Sequence, residues 1–328
     1  MATSPVQVER KFALPGIDVV RRAFDECRME AISLSEGELS GMLGSYRHGA
    51  ATLCSFEVDF AIHSRFVLPP GHFLFCYFYK AAPGSWCAGM PLRSGTVLLA
   101  LPGSSCEMML APESSISLVL APMRPSVSSA VERNPDSFGD AGQQFSLFRP
   151  ECHAETRLGA RYAVMSDSLI GKTRHGMSVF VESGMADALV DDRALSELFA
   201  RTVPALTPAD GYKPHYATLR KAVRFMRMNL HRDIYIEEIA AAVQISDRSL
   251  RHVFDDLLGV SPTRYLSLLR LHEASRRLSV QGNAGRPSIK AVAMSCGLWD
   301  LSRFAANYRR AFGEHPSATL MRTCSFAS

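Results

Sequence analysis

Arg248, Arg251 and His252 fall in the segment SDRSLRHVFDDLL, where Leu250, Val253, Phe254, Leu257 and Leu258 recur at helical spacing. The apolar set fixes the inner face of a helix from Asp247 to about Leu258 and leaves the two arginines and the histidine outside. Arg248 and Arg251 are three residues apart and share a face. A guanidinium is a planar fork of donors. It fits the two acceptors on the major-groove edge of a guanine, and equally the oxygens of a phosphate. A second group lines the outside of another helical stretch: Asp300, Leu301, Ser302, Arg303 and Asn307, with Phe304, Tyr308, Ala311 and Phe312 facing inward. Asp247 opens the first helix and Asp300 stands near the start of the second. Base-edge and phosphate recognition are the chemistry these groups share.

Both groups sit in the same frame. IAAAVQISDRSLRHVFDDLLGVSP (239–262) and VAMSCGLWDLSRFAANYRRAFGEHP (292–316) each run from an alanine-bearing helix through a short turn to a second helix, then close on Gly and Pro. That is the outline of a helix-turn-helix, whose second helix can enter a major groove. Ser246 is a good N-cap for the first recognition helix, and Gly297 a natural residue just past a helix end. Ala293–Gly297 matches Ala240–Gln244 at an offset of 53, but Phe304 matches Leu250 at 54, so the second turn is one residue longer. Trp299 then stands where the first copy has Ser246, and either packs against the helix start or reaches a sugar edge. Between the copies, TRYLSLLRLHEASRRL (263–278) is a continuous helical pattern, a rigid spacer for two readers of groove segments about 34 Å apart. YATLRKAVRFMRMNL (216–230) is an amphipathic helix ahead of both.

Charge follows the same division. Residues 212–328 hold 18 Lys/Arg against 9 Asp/Glu, a net +9, whereas residues 1–211 hold 18 against 23, a net −5. A basic domain beside an acidic one suits a nucleic-acid binder joined to a part that does not touch phosphate. The opening MATSPVQVERKFALPG lacks the apolar stretch of a signal peptide, and no uncharged run approaches a membrane span of about 18 residues, so a cytoplasmic protein is expected. The eight cysteines form no C-x-x-C pair and read as buried free thiols.

Upstream, 17–30 has helical spacing. From about 31 to 122 short apolar runs such as ATLCSFEVDF, HFLFCYFY, GTVLLALP and SISLVLAP alternate with Gly, Pro and Ser, the pattern of strands in a sandwich or barrel. PPGHFLFCYFYK is apolar on both faces and is expected at the centre of a sheet. Residues 126–150 read as an irregular connection or late strand, 185–200 as a helix, and 201–215 as a proline-bearing linker. The fold class is therefore α+β. A β-rich N-terminal domain spans 1–200, with its core at about 31–150, and an all-α domain with two helix-turn-helix motifs spans 216–322.

The C-terminal third resembles the AraC/XylS family of bacterial transcription regulators. The likeness covers about 216–322 and rests on RLHEASRRL, on the two alanine-rich helices, and on the closing GVSP and GEHPSATL. GLWDLSRFAANYRRAFGEHPSATL is similar to the ethanolamine-operon-regulator branch. The family's Gly-Phe and serine cap are replaced here by Gly297-Leu298-Trp299. The resemblance implies base reading by Arg248, Arg251 and His252, and by Leu301 and Ser302. It also implies a cupin-like β-barrel that senses a small-molecule effector and dimerises, with double-stranded promoter DNA as partner and RNA polymerase as a second partner in an activator. Phe75, Tyr77, Tyr79 and Trp86 are the residues offered for an effector pocket, and residues of this kind are more often plain core. The helix at 185–200 reads as a homodimer seam or as an internal packing face. His48, His63 and His72 stand apart, without the His-x-His and Glu of a metal-binding cupin, so neither metal nor other cofactor is expected. A thiol-responsive regulator built on Cys76, Cys87 or Cys106 is the alternative input. An enzyme with a basic anchoring tail would need a nucleophile–base pair in 1–211, and none is evident.

Overall fold

The computed structural model describes residues 7–9, 27–35, 39–134, 138, 144–150, 157–171, 202–204, 214–279 and 288–325. Ser40–Tyr212 forms the bulk of one compact unit, and Lys213–Ser328 the bulk of another.

The first unit is built on two antiparallel sheets. The larger has the order β1 (Gln7–Glu9), β3 (Gly41–His48), β4 (Ala51–Val58), β11 (Ser114–Pro122), β6 (His72–Lys80), β9 (Val97–Ala100), β12 (Phe145–Pro150) and β13 (Thr202–Pro204). The smaller has the order β2 (Arg28–Ser33), β5 (Ile62–Val67), β10 (Ser105–Leu110), β7 (Trp86–Cys87) and β8 (Met90–Pro91). β6 pairs with β11 on one side and β9 on the other, the central place its two-sided apolar sequence requires. Alternation along β6 serves two layers. Phe73 and Phe75 point to the outer face, where α1 (Pro125–Glu132) contributes Val127 and Ala130 and α2 (Arg157–Ser166) contributes Tyr162 and Met165. A π turn at Asp167–Gly171 continues α2 and adds Leu169 and Ile170. Leu74 and Cys76 point between the sheets, towards Ile62, Ser64 and Phe66 of β5 and Met108 and Leu110 of β10.

Three expectations change. Arg28–Glu30, the end of the helix read at 17–30, is strand in β2, because pairing in the smaller sheet overrides a weak local helical pattern. The stretch at 126–150, read as an irregular connection or a late strand, begins with helix α1, started by Pro125 in its first turn, and ends with β12, the late strand. The linker at 201–215 begins with β13, an edge strand whose Thr202, Val203 and Pro204 pair with Pro150, Arg149 and Phe148. Helix α2 has no counterpart among the sequence expectations, although Leu158, Tyr162, Met165 and Leu169 recur at helical spacing. The helix expected at 185–200 lies outside the described residues.

The second unit is helical: α3 (Tyr216–Met228), α4 (Ile236–Ala242), α5 (Asp247–Leu258), α6 (Pro262–Ser279), α7 (Ile289–Ser295), α8 (Leu301–Phe312) and α9 (Pro316–Ser325). α4–α5 and α7–α8 are the two helix-turn-helix copies, joined by the long α6. Leu271, Ala274 and Leu278 of α6 share a core with Val292 and Ala293 of α7 and Phe304, Tyr308 and Phe312 of α8. Arg277 of α6 also donates to Ser295 Oγ of α7 at 2.7 Å.

Candidate DNA interface

The two turns are built alike, bond for bond. In the first, Ile245 N–H reaches Ala240 O at 3.1 Å and Gln244 N–H reaches Ala241 O at 3.1 Å. In the second, Leu298 N–H reaches Ala293 O and Gly297 N–H reaches Met294 O, both at 3.0 Å. This is the paired bonding of a Schellman helix end, which needs a left-handed residue just past the helix. Gln244 has φ 61° and Gly297 φ 72°. The extra residue of the second turn follows this shared end. Ser246 caps α5 by accepting from Ser249 N–H at 3.1 Å, and Asp300 caps α8 by accepting from Arg303 N–H at 2.9 Å. Asp300, not Trp299, is therefore the equivalent of Ser246. One of its carboxylate oxygens is committed to the helix end, which sits badly with the role of a free base-reading group. A carboxylate there also suits the positive end of the helix dipole.

Burial sorts the recognition residues. Leu250, Val253, Phe254, Leu257 and Leu258 of α5 are buried, while Arg248, Arg251 and His252 are exposed and Asp247 is half-buried. Neither arginine pairs with an acidic side chain among the described residues. Three arginines of the scaffold behave otherwise: Arg276 and Arg277 both hold Glu273 at 2.7 Å, and Arg232 holds Glu238 at 2.7 Å. Burial pushes the Glu273 carboxyl up, but the hydrogen bonds from Arg276 and Arg277 outweigh it and leave the group below the usual carboxylate range. His252 turns its ring against His215, with centroids 5.5 Å apart. Asp255 and Asp256 are exposed at the far end of α5, so its cationic end is the N-terminal half.

On α8, Leu301, Ser302 and Arg303 are exposed and Asn307 is half-buried. At the offset of 54 that aligns the caps, Asn307 takes the place of buried Val253, so it stands at the side of the helix, not at its outer face. Leu301, Ser302, Ala305 and Ala306 take the places of Asp247, Arg248, Arg251 and His252. Arg309 and Arg310 are exposed at the C-terminal end, where cations suit the helix dipole. Trp299 is half-exposed, and its indole N–H donates to Asp233 Oδ1 at 3.1 Å. Its packing role is thus directed at the α3–α4 loop, a contact 66 positions away that sequence spacing could not reveal.

The four residues offered for an effector pocket do not meet in one place. Phe75 and Tyr77 stack on Tyr162 with centroids 5.6 and 5.7 Å apart, and Tyr79 meets Tyr77 edge-on at 4.9 Å, all on the outer face of the larger sheet. Trp86 belongs to the smaller sheet and packs on His63, whose Nε2 lies 2.9 Å from Glu107 Oε1. The cavity between the sheets is lined instead by residues including Cys27, Met29, Phe56, Phe66, Cys76 and Met108. Its volume of about 40 Å³ is close to that of a water or two and far below a ligand pocket of about 300 Å³ or more. No cluster of three or more metal-ligating side chains occurs among the described residues, and no described helix is long and apolar enough to cross a membrane.

The family described as a helix-turn-helix domain matches residues 239–322. Over 107 residues the chain is 38% identical to the XylDLEGF operon transcriptional activator of Pseudomonas putida, an alignment covering 33% of each protein. It is 32% identical over 148 residues to the HTH-type transcriptional regulator GbdR of Pseudomonas aeruginosa, covering 45% of this chain and 38% of that one. The helical unit is an AraC/XylS-type DNA-binding domain. A solved structure of a probable AraC family transcriptional regulator from Rhodopseudomonas palustris is 36% identical, covers 33% of this chain and 97% of that one, and gives a TM-score of 0.30. The chain spans about a third of the length of the curated relatives it matches first. Within the AraC/XylS-type domain, both turns, both caps and the exposed cations of α5 fall inside the matched residues.

Proposed function

We propose that the protein is a sequence-specific transcription regulator that acts in the cytoplasm on double-stranded promoter DNA and reads two adjacent major-groove segments. The observation that carries this reading is the pair of Schellman-turned motifs, the first presenting Arg248 and Arg251 outward without an acidic partner among the described residues. Guanidiniums on an exposed helix face with no acidic partner among the described residues are available to guanine edges or phosphates, whereas Arg276 and Arg277 share Glu273 and Arg232 is held by Glu238. His252, Leu301, Ser302 and Arg303 extend the two reading faces, and Asp247 and Asp300 border them.

The relatives named as operon activators favour activation, with RNA polymerase as the second partner. The sandwich is the sensor, and it works by population shift: an effector that binds one state better changes how the DNA-binding domain is presented. An effector held between the sheets has to widen the 40 Å³ cavity, and the flexible Met29 and Met108 in its wall are suited to that. A homodimer formed through the N-terminal domain completes the proposal. Nothing in the reading calls for catalysis.

The test is selection from fragmented genomic DNA by the full-length protein at a stated salt concentration. The expected result is a motif with two elements about one helical turn apart. Salt-sensitive binding with no motif would overturn the reading and leave an electrostatic anchor.

A further inference from the structure

The α3–α4 loop, residues 229–235, is a junction where the first motif, the spacer helix and the second motif meet. Within it, Arg232 bonds Asn229 Oδ1 at 2.9 Å and Glu238 Oε2 at 2.7 Å, which ties the end of α3 to the start of α4. From the spacer helix, Arg270 donates through Nη2 to Arg232 O at 2.6 Å. Arg270 is half-buried there, and that burial pulls its guanidinium below its ordinary range while Asp233 opposes the shift. From the second motif, Trp299 donates to Asp233 as described above. The second turn also closes directly on the loop. A Cβ on Gly297 would lie 2.3 Å from Leu230 O and 3.1 Å from the Arg270 guanidinium, so only glycine permits the approach.

We propose that this junction sets the angle between the two recognition helices, and that Trp299 and Asp233 are positioning residues fixing the spacing at which the two DNA elements are read. The inference rests on the two-element reading above. The shared core of Leu271, Ala274 and Leu278 with Phe304, Tyr308 and Phe312 seats α8 on the spacer helix. The contact between the α8 start and the loop before α4 adds a second anchor away from the spacer axis, and it joins the two motifs directly. Trp299 lies just before the α8 cap, so a shift of its anchor moves the whole reading face. DNA makes the angle matter: inserting two base pairs moves the second element by about 7 Å and about 70° around the duplex. Two linked readers keep their joint affinity only where the linkage lets both engage.

The experiment measures binding of full-length protein, Trp299→Phe and Asp233→Ala to duplexes carrying the selected site, the same site with two base pairs inserted, and the site with its second element scrambled. Both substitutions are at exposed or half-exposed positions, and thermal unfolding checks that the variants fold. The wild type should lose about tenfold or more on insertion. In both variants that penalty should shrink to about threefold or less, while scrambling the second element still weakens binding. An unchanged insertion penalty in both variants would overturn the proposal and leave the two-element reading intact. Loss of all dependence on the second element would also overturn it, since the contact would then keep the motif folded and not set its angle. No insertion penalty in the wild type would overturn both.

Discussion

Gln244 and Gly297 hold the same left-handed position in the two turns, yet only one of them needs to be glycine for space. Gln244 is exposed, and its φ of 61° is a conformational cost alone. That cost is about 1–2 kcal/mol for an L residue, partly offset by the freedom a glycine brings to the unfolded chain. Gln244→Gly is therefore expected to raise stability by up to about 1 kcal/mol. Gly297→Ala adds the same strain and a clash with Leu230 O, and should cost about 2 kcal/mol or more. Thermal unfolding of the two variants checks the asymmetry, and effects of the same sign would contradict it.

These turns also mark what a sequence can carry. The repeat, its one-residue offset and the inner faces of α5 and α8 were legible because helical periodicity and capping are local. β6 was legible as a central strand because both its faces are apolar. The strand at Arg28–Ser33 was not, since its pairing with β5 is decided elsewhere in the chain. Nor was the cap of α8: alignment at the turn pointed to Trp299, and only the backbone shows the extra residue shifting the cap to Asp300. The aromatic residues of β6 were legible as apolar, but which face they served depended on α2 covering it.

Arg251 is the most direct probe of base reading. Arg251→Ala is expected to weaken binding to the selected site by about 1–3 kcal/mol and to spare binding to random DNA. Titrations on both duplexes at one salt concentration measure this. An equal loss on random DNA would make Arg251 a phosphate contact.

The second recognition helix offers different chemistry at equivalent places. Where α5 has Arg248, Arg251 and His252, α8 has Ser302, Ala305 and Ala306, preceded by exposed Leu301. Small apolar side chains suit the thymine methyl group. We expect guanines in the element read by α5 and thymines in the element read by α8. Replacing those thymines with uracil, which lacks only the methyl, should weaken binding by about 1 kcal/mol or more. The same replacement in the first element should change little, and equal sensitivity in both would contradict the assignment.

Glu273 links stability to pH. Its folded pKa lies below the ordinary carboxylate value because Arg276 and Arg277 hold it, so its contribution is present above that value and is lost as pH falls through the folded pKa. Glu273→Gln should destabilise the protein by about 1 kcal/mol near neutrality. The difference should vanish in acid. Denaturant unfolding at pH 7 and at successively lower pH checks this, and a gap that persists in acid would point to packing instead of charge.

Cys87 and Cys106 lie on paired strands with their sulfurs 3.1 Å apart, close enough to invite a disulfide. Formation would consume one peroxide and two thiols, giving one disulfide and two waters. The reacting species, however, is the thiolate. The hydrogen bond with Cys87, and then burial, push the Cys106 thiol well above its ordinary value, and burial does the same to Cys76. Both members of the pair are also almost wholly shielded from solvent. Proximity thus favours the bond, while the raised Cys106 thiol and the lack of solvent access oppose it. Hydrogen peroxide is therefore expected to leave DNA binding by the native protein unchanged and to produce no Cys87–Cys106 disulfide by mass spectrometry. A peroxide response that disappears in Cys87→Ser would reverse this conclusion and make the thiol pair the sensor input.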